Sequence, residues 1–133
     1  MTRIEQVQAL LAAKRYSVTE GGADVLRVQE LDSGITLQAA LVEEILFFSV
    51  VCATVPAAKI TASVMQKMLD ADNGISTSHF QLSKGAGGSV ITLNNFCKLQ
   101  DMGPDDEDDI VSCVSYLLAD VVQAKDLIGS EIS

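Results

Sequence analysis

Tryptophan is absent from this chain and aromatic residues make up only 5% of its 133 positions, so a core has to be built from Ile, Leu, Val, Met and Ala. Positive charge is also scarce. Nine Lys and Arg stand against eighteen Asp and Glu, a formal net charge of −9. This argues against nucleic-acid binding, which draws on a surplus of cations to release phosphate counterions, and against an anionic membrane surface. The single histidine, His79, has no H-x-x-x-H or Cys/His neighbour. Cys52, Cys97 and Cys113 are odd in number, widely spaced and never in a C-x-x-C pair. That pattern fits free thiols in a reducing compartment and argues against zinc. No apolar h-region follows Met1, so a secretory signal is not expected and the cytoplasm is the expected location. The most hydrophobic run, Ile45 to Val55, is about half the length a membrane-crossing helix needs. The length suits one domain, residues 1–133.

What the chain does have is a long amphipathic stretch from Gly103 to Ile128. Pro104 sets a helical φ, and Asp105, Asp106, Glu107, Asp108 and Asp109 place negative charge at the positive pole of a helix dipole. Ile110, Val114, Leu117, Leu118, Val121, Lys125 and Ile128 then recur at three- and four-residue steps. Such a helix, on the order of 24 residues and so roughly 36 Å long, has an apolar face that needs a sheet or helix over it. A shorter helix opens the chain, with Thr2 and Glu5 in capping-box spacing and Ile4, Val7, Leu10 and Leu11 on one side. Gly129 to Ser133 is expected to fray.

Between these helices the pattern turns to strands. Lys14 to Val18 could add a short extended piece before Gly21-Gly22 breaks the chain. Val25 to Gln29 and Ile35 to Ala39 then form a hairpin about Asp32-Ser33-Gly34. Ile45 to Thr54 is almost wholly apolar, as expected of a central strand covered on both faces. A second helix is expected from about Ala58 to Asp72, with Asn73-Gly74 as its C-cap. His79 to Ser83 and Ser89 to Phe96 make another hairpin. The predicted class is α+β, an antiparallel five-stranded sheet with elements in the order α-β-β-β-α-β-β-α.

No catalytic motif stands out. The loop Lys84-Gly85-Ala86-Gly87-Gly88-Ser89 lacks phosphate-loop spacing and opens a strand, so a hairpin turn is expected. The run from Asp105 to Asp109 lacks the alternating ligands and glycine of a calcium loop; a solvated helix N-terminus is expected. Cys52 and Cys113 fall in apolar periodic segments and should be core, with Cys97 more exposed. Neither a cofactor nor a metal is expected.

The segments Val25-Leu26-Arg27-Val28, His79-Phe80-Gln81-Leu82-Ser83 and Ser89 through Leu118, set in this element order, resemble the class I type III secretion chaperones and the wider superfamily that includes YbjN-like domains. Within it the chain looks most like the YjfI family of small bacterial proteins. The resemblance implies a cytoplasmic, non-enzymatic and dimeric protein that binds another polypeptide along apolar patches. It also implies an association with envelope stress, since YjfI-like genes neighbour those of phage-shock-protein-A-like proteins. It transfers no binding residue individually.

The first expectation is therefore a homodimeric protein-binding module whose apolar grooves hold a partner protein, with Phe47, Phe48, Val50 and Val51 on the apolar strand and Met65 and Met68 on the second helix as candidate contacts. The rival is a small enzyme or ligand-binding domain that uses Lys84, His79, Cys97 or the region of Asp105. The rival requires those groups to converge in a pocket.

Overall fold

Thr2 opens the first helix, α1 (Arg3–Ala12), through the expected capping box. Its hydroxyl accepts the Glu5 N–H at 3.2 Å, and the Glu5 carboxylate accepts the Thr2 N–H at 3.0 Å. In the computed structural model, which describes residues 1–133, four strands follow: β1 (Tyr16–Gly22), β2 (Val25–Glu30), β3 (Thr36–Val42) and β4 (Ile45–Val55). A single 3-10 turn (Ala57–Lys59) leads to α2 (Ala62–Leu69), β5 (His79–Gly85), β6 (Gly88–Lys98) and α3 (Pro104–Ile132). The sheet runs β1-β2-β3-β4-β6-β5, and the pairs β1/β2, β2/β3, β3/β4 and β5/β6 are antiparallel.

The expected α+β class with an antiparallel sheet is therefore present, but with six strands instead of five. The additional strand is β1, which pairs with β2 from Tyr16 opposite Glu30 to Gly22 opposite Val25. Gly21-Gly22 does not break it. The strand absorbs the glycines as an irregularity between Glu20 and Gly22, and Gly22 takes a φ of +144°, open to glycine and strained for other residues.

The second helix is shorter than predicted. Thr61 starts it by accepting the Val64 N–H at 3.2 Å, and it ends at Leu69 with an extended Asp70. Gly74, φ +84°, belongs to the turn beyond it and does not cap it. The final helix is longer than predicted, 29 residues, and takes in Gly129 to Ile132. Two ties at that end stay inside this part of the chain. The Lys67 ammonium meets Glu131 at 2.6 Å, and the Lys59 ammonium donates to the Ser133 main-chain oxygen at 3.2 Å.

The chain forms two compact units, Met1–Ser49 with Asn95–Ser115, and Val50–Asn94 with Tyr116–Ser133. In the first, α1 packs on β1 and β2, and Val7, Leu11, Leu26, Val28, Phe48 and Ile110 are buried. Asp106 is buried here as well, which corrects the expectation of a wholly solvated acidic cluster. Its carboxylate accepts the N–H groups of Gln100 and Met102, each at 2.7 Å, and so ties the loop before α3 to the helix's first turn. Asp105, Glu107, Asp108 and Asp109 are exposed as expected.

In the second unit Val64, Met68, Ile91 and Ile128 form a cluster with Ile60, Phe80 and Leu127 against it. Its polar anchor is Asp120. Both carboxylate oxygens are taken up by the N–H groups of Ser76, Thr77 and Ser78 and by the hydroxyls of Ser76 and Ser78, at 2.6 to 3.3 Å. Burial pushes this carboxyl's pKa up, but the Ser78 and Ser76 donors outweigh it and hold the group below the usual carboxylate range. The glycine-rich loop is the predicted hairpin turn. Gly85 pairs with Gly88, and a side chain at Gly88 would collide with the Val55 carbonyl.

Candidate partner-binding surface

β4 carries the decisive pattern. Leu46, Phe48 and Val50 are buried, while Phe47 between the first two and Val51 after the last are exposed. The expectation that this strand is covered on both faces is therefore corrected: from Leu46 to Val51 one face is covered and the other is open. Its apolar residues on the open face escaped a period-two reading because both faces of β4 are hydrophobic.

In the first unit the register extends that open face sideways. Val25 lies opposite Ala40, and Ala40 opposite Phe47, so the three share one row across β2, β3 and β4. The Phe47 ring also meets that of Phe96 on β6, with centroids 6.1 Å apart and planes tilted by 44°. Phe47 is 43% and Phe96 59% exposed, much for two adjacent aromatic rings. Val42, opposite Ile45, borders this row on one side. On the other side the aligned residues are Thr19, Arg27, Gln38 and Ser49, none of them acidic. In a chain with twice as many acidic as basic residues, these rows carry no carboxylate. Acids do stand at the turns, where Asp24 and Glu43 take positive φ and Glu44 pairs with Lys98 at 3.5 Å.

The six residues expected to meet a partner divide by burial. Phe48, Val50 and Met68 are core side chains, because strand alternation and the inward face of α2 turn them away from solvent. Phe47 is exposed in the first unit, and Val51 and Met65 in the second. Phe96, absent from that set, is the residue sequence reasoning missed. Its place next to a predicted strand end gave no indication of a ring partner.

The groups proposed for a small enzyme divide between the units, His79 and Lys84 in the second and Cys97 and Asp105 in the first. His79 and Lys84 sit five residues apart on β5, an odd spacing that points them to opposite faces, and both are exposed. Asp105 is exposed in the first turn of α3. Cys97 is buried, contrary to expectation, because β6 continues to Lys98 and its alternation turns Cys97 inward between exposed Phe96 and Lys98. There it faces Cys113 on α3. The hydrogen bond between the thiols, together with burial, pushes Cys97 up, while the same bond pulls Cys113 down. Cys113 also donates to the Phe96 carbonyl at 3.6 Å, and Asn95 donates to the Cys113 carbonyl at 2.9 Å. Cys52 and Cys113 are only half-buried. No three His, Cys, Asp or Glu side chains gather as a metal site, and no helix is long and apolar enough to cross a membrane.

No family model matches the chain, and no curated protein matches it either. Solved structures do. YbjN from E. coli, a candidate transcription regulator, superposes with a TM-score of 0.67 at 13% identity, over 94% of this chain and 93% of YbjN. The fold is YbjN-like. A chain of the heterodimeric ExoU-SpcU complex from the type III secretion system of Pseudomonas aeruginosa superposes with a TM-score of 0.60 at 19% identity, over 90% of this chain and 95% of that one. The resemblance read from the hairpins and the last helix thus holds at the level of a YbjN and type III secretion chaperone-like fold.

Proposed function

We propose that this protein is a non-enzymatic, chaperone-like or regulatory binding module that holds a partner polypeptide against the open sheet face centred on Phe47 and Phe96. The observation that carries the reading is that exposed aromatic pair, flanked by Val25, Ala40, Val42 and Ile45 on an acid-free face. Aromatic side chains in such a setting bury much apolar area for little lost conformational freedom, which makes them effective anchors. The acidic remainder of the surface would speed encounter with a basic partner. The likeness to a chain of a heterodimeric secretion complex supports a polypeptide as the bound species. In this reading the protein is a cytoplasmic homodimer, and the finer resemblance to the YjfI family gives it a place in envelope stress.

The test is cross-linking and affinity capture in the native cell with two baits, the wild-type protein and the Phe47→Asp/Phe96→Asp variant. A partner held by the first and lost by the second, with both baits giving the same thermal melt, supports the reading. Equal capture by both baits overturns the surface. Light scattering after size exclusion checks the dimer, and a strict monomer removes that part.

A further inference from the structure

The second unit holds a cavity that the protein-binding reading does not use. Its volume is about 310 Å³, and it lies where Cys52, Ala53 and Val55 of β4 meet Ile128 and Ile132 of α3. The wall is mostly apolar. Lys125 is the cation that lines it, and no carboxylate lies within ion-pair distance of its ammonium. Burial pushes the Cys52 thiol up to about 11, and the Lys125 charge pulls against that shift. A second lysine, Lys59, donates to the Ser133 main-chain oxygen, and Ser133 also lines the cavity.

Lys125 thus sets one positive charge beside a mostly apolar wall. A volume of this size is at the lower end of the range for small-molecule sites, and it suits an unbranched alkyl tail better than a polar metabolite. Lysine's long stem can line such a wall while its head stays wet at the mouth.

We propose that this cavity binds the alkyl chain of an amphiphilic carboxylate, with Lys125 holding the carboxylate head. The inference is independent of the partner-binding surface, which involves other residues. Either can fail without the other.

The probe is decanoate, kept below its micelle concentration and titrated calorimetrically into the full chain. Decanol serves as the uncharged control and acetate as the tailless one. Decanoate should bind, decanol and acetate should bind about tenfold more weakly or worse, and Lys125→Glu should lower decanoate affinity by a similar factor. Lys125→Arg should retain binding. Ala53→Phe should block the tail, and bound decanoate should slow alkylation of Cys52 by N-ethylmaleimide, read by peptide mass spectrometry. All three variants change side chains outside the fully buried core, and a thermal melt confirms that they fold. Absence of decanoate binding to the wild-type protein, equal affinity for decanol, or unchanged affinity in folded Lys125→Glu would each overturn the proposal.

Discussion

Phe47 and Phe48 are neighbours on one strand and chemically identical, yet Phe48 is fully buried while 43% of Phe47 is exposed. The strand's pleat accounts for the difference. What it teaches is a division of labour within a single apolar run. One face of β4 serves the protein's own stability, and the other retains hydrophobic area that the fold does not consume.

The sharpest way to break that comparison is to truncate each ring in turn. Phe48→Ala should cost about 4 kcal/mol in urea unfolding, through lost transfer energy and the cavity left behind. Comparable losses from the two truncations would end the distinction. The next largest effect belongs to Asp120, whose removal leaves three N–H groups and two hydroxyls without their acceptor. Asp120→Ala should cost about 3 kcal/mol by the same measurement.

Asp120 also sets a direction for acid stability. Its folded-state pKa is lowered relative to the unfolded chain, so its contribution is fully present above the unfolded value of about 4 and is lost as pH falls through the folded one. The melting temperature should drop below about pH 4, and Asp120→Asn should flatten that limb in part. It should not abolish it, because Glu131, held down by Lys67 and Ser63, and Glu5, held down by Thr2, shift in the same direction.

Smaller still is the change on the open face, where Phe47→Ala should move stability by less than about 1 kcal/mol, mainly through the ring contact with Phe96. The least disruptive probe is chemical. Iodoacetamide should modify Cys113 before Cys97, and Cys97→Ala should slow the Cys113 reaction at pH 7 by removing the thiol that favours its anion. Peptide mass spectrometry over time reads both.

Much of the architecture was legible because it is locally encoded. The capping box of Thr2 and Glu5, the turn at Gly34 and the hairpin at Gly85 to Gly88 involve residues close in sequence, and each forms as its spacing suggests. β1 was obscured by Gly21-Gly22, which elsewhere ends a strand. Asp106, Asp120 and Asn95 were illegible for another reason. A polar side chain is buried only where distant donors or acceptors await it, and neither periodicity nor composition records them. Phe96 was missed on similar grounds, since the row it joins is assembled by register across strands far apart in the chain.

Strands β2, β3 and β4 each pair with the one before, and the turn between β3 and β4 is only Glu43-Glu44. Contacts so near in sequence close early, because little loop entropy opposes them. During synthesis Phe47 can therefore reach its place in a pleated layer well before the ribosome has made Phe96. For that interval the ring has no aromatic neighbour, and the nascent chain shows bare apolar surface where the finished protein shows a pair of rings.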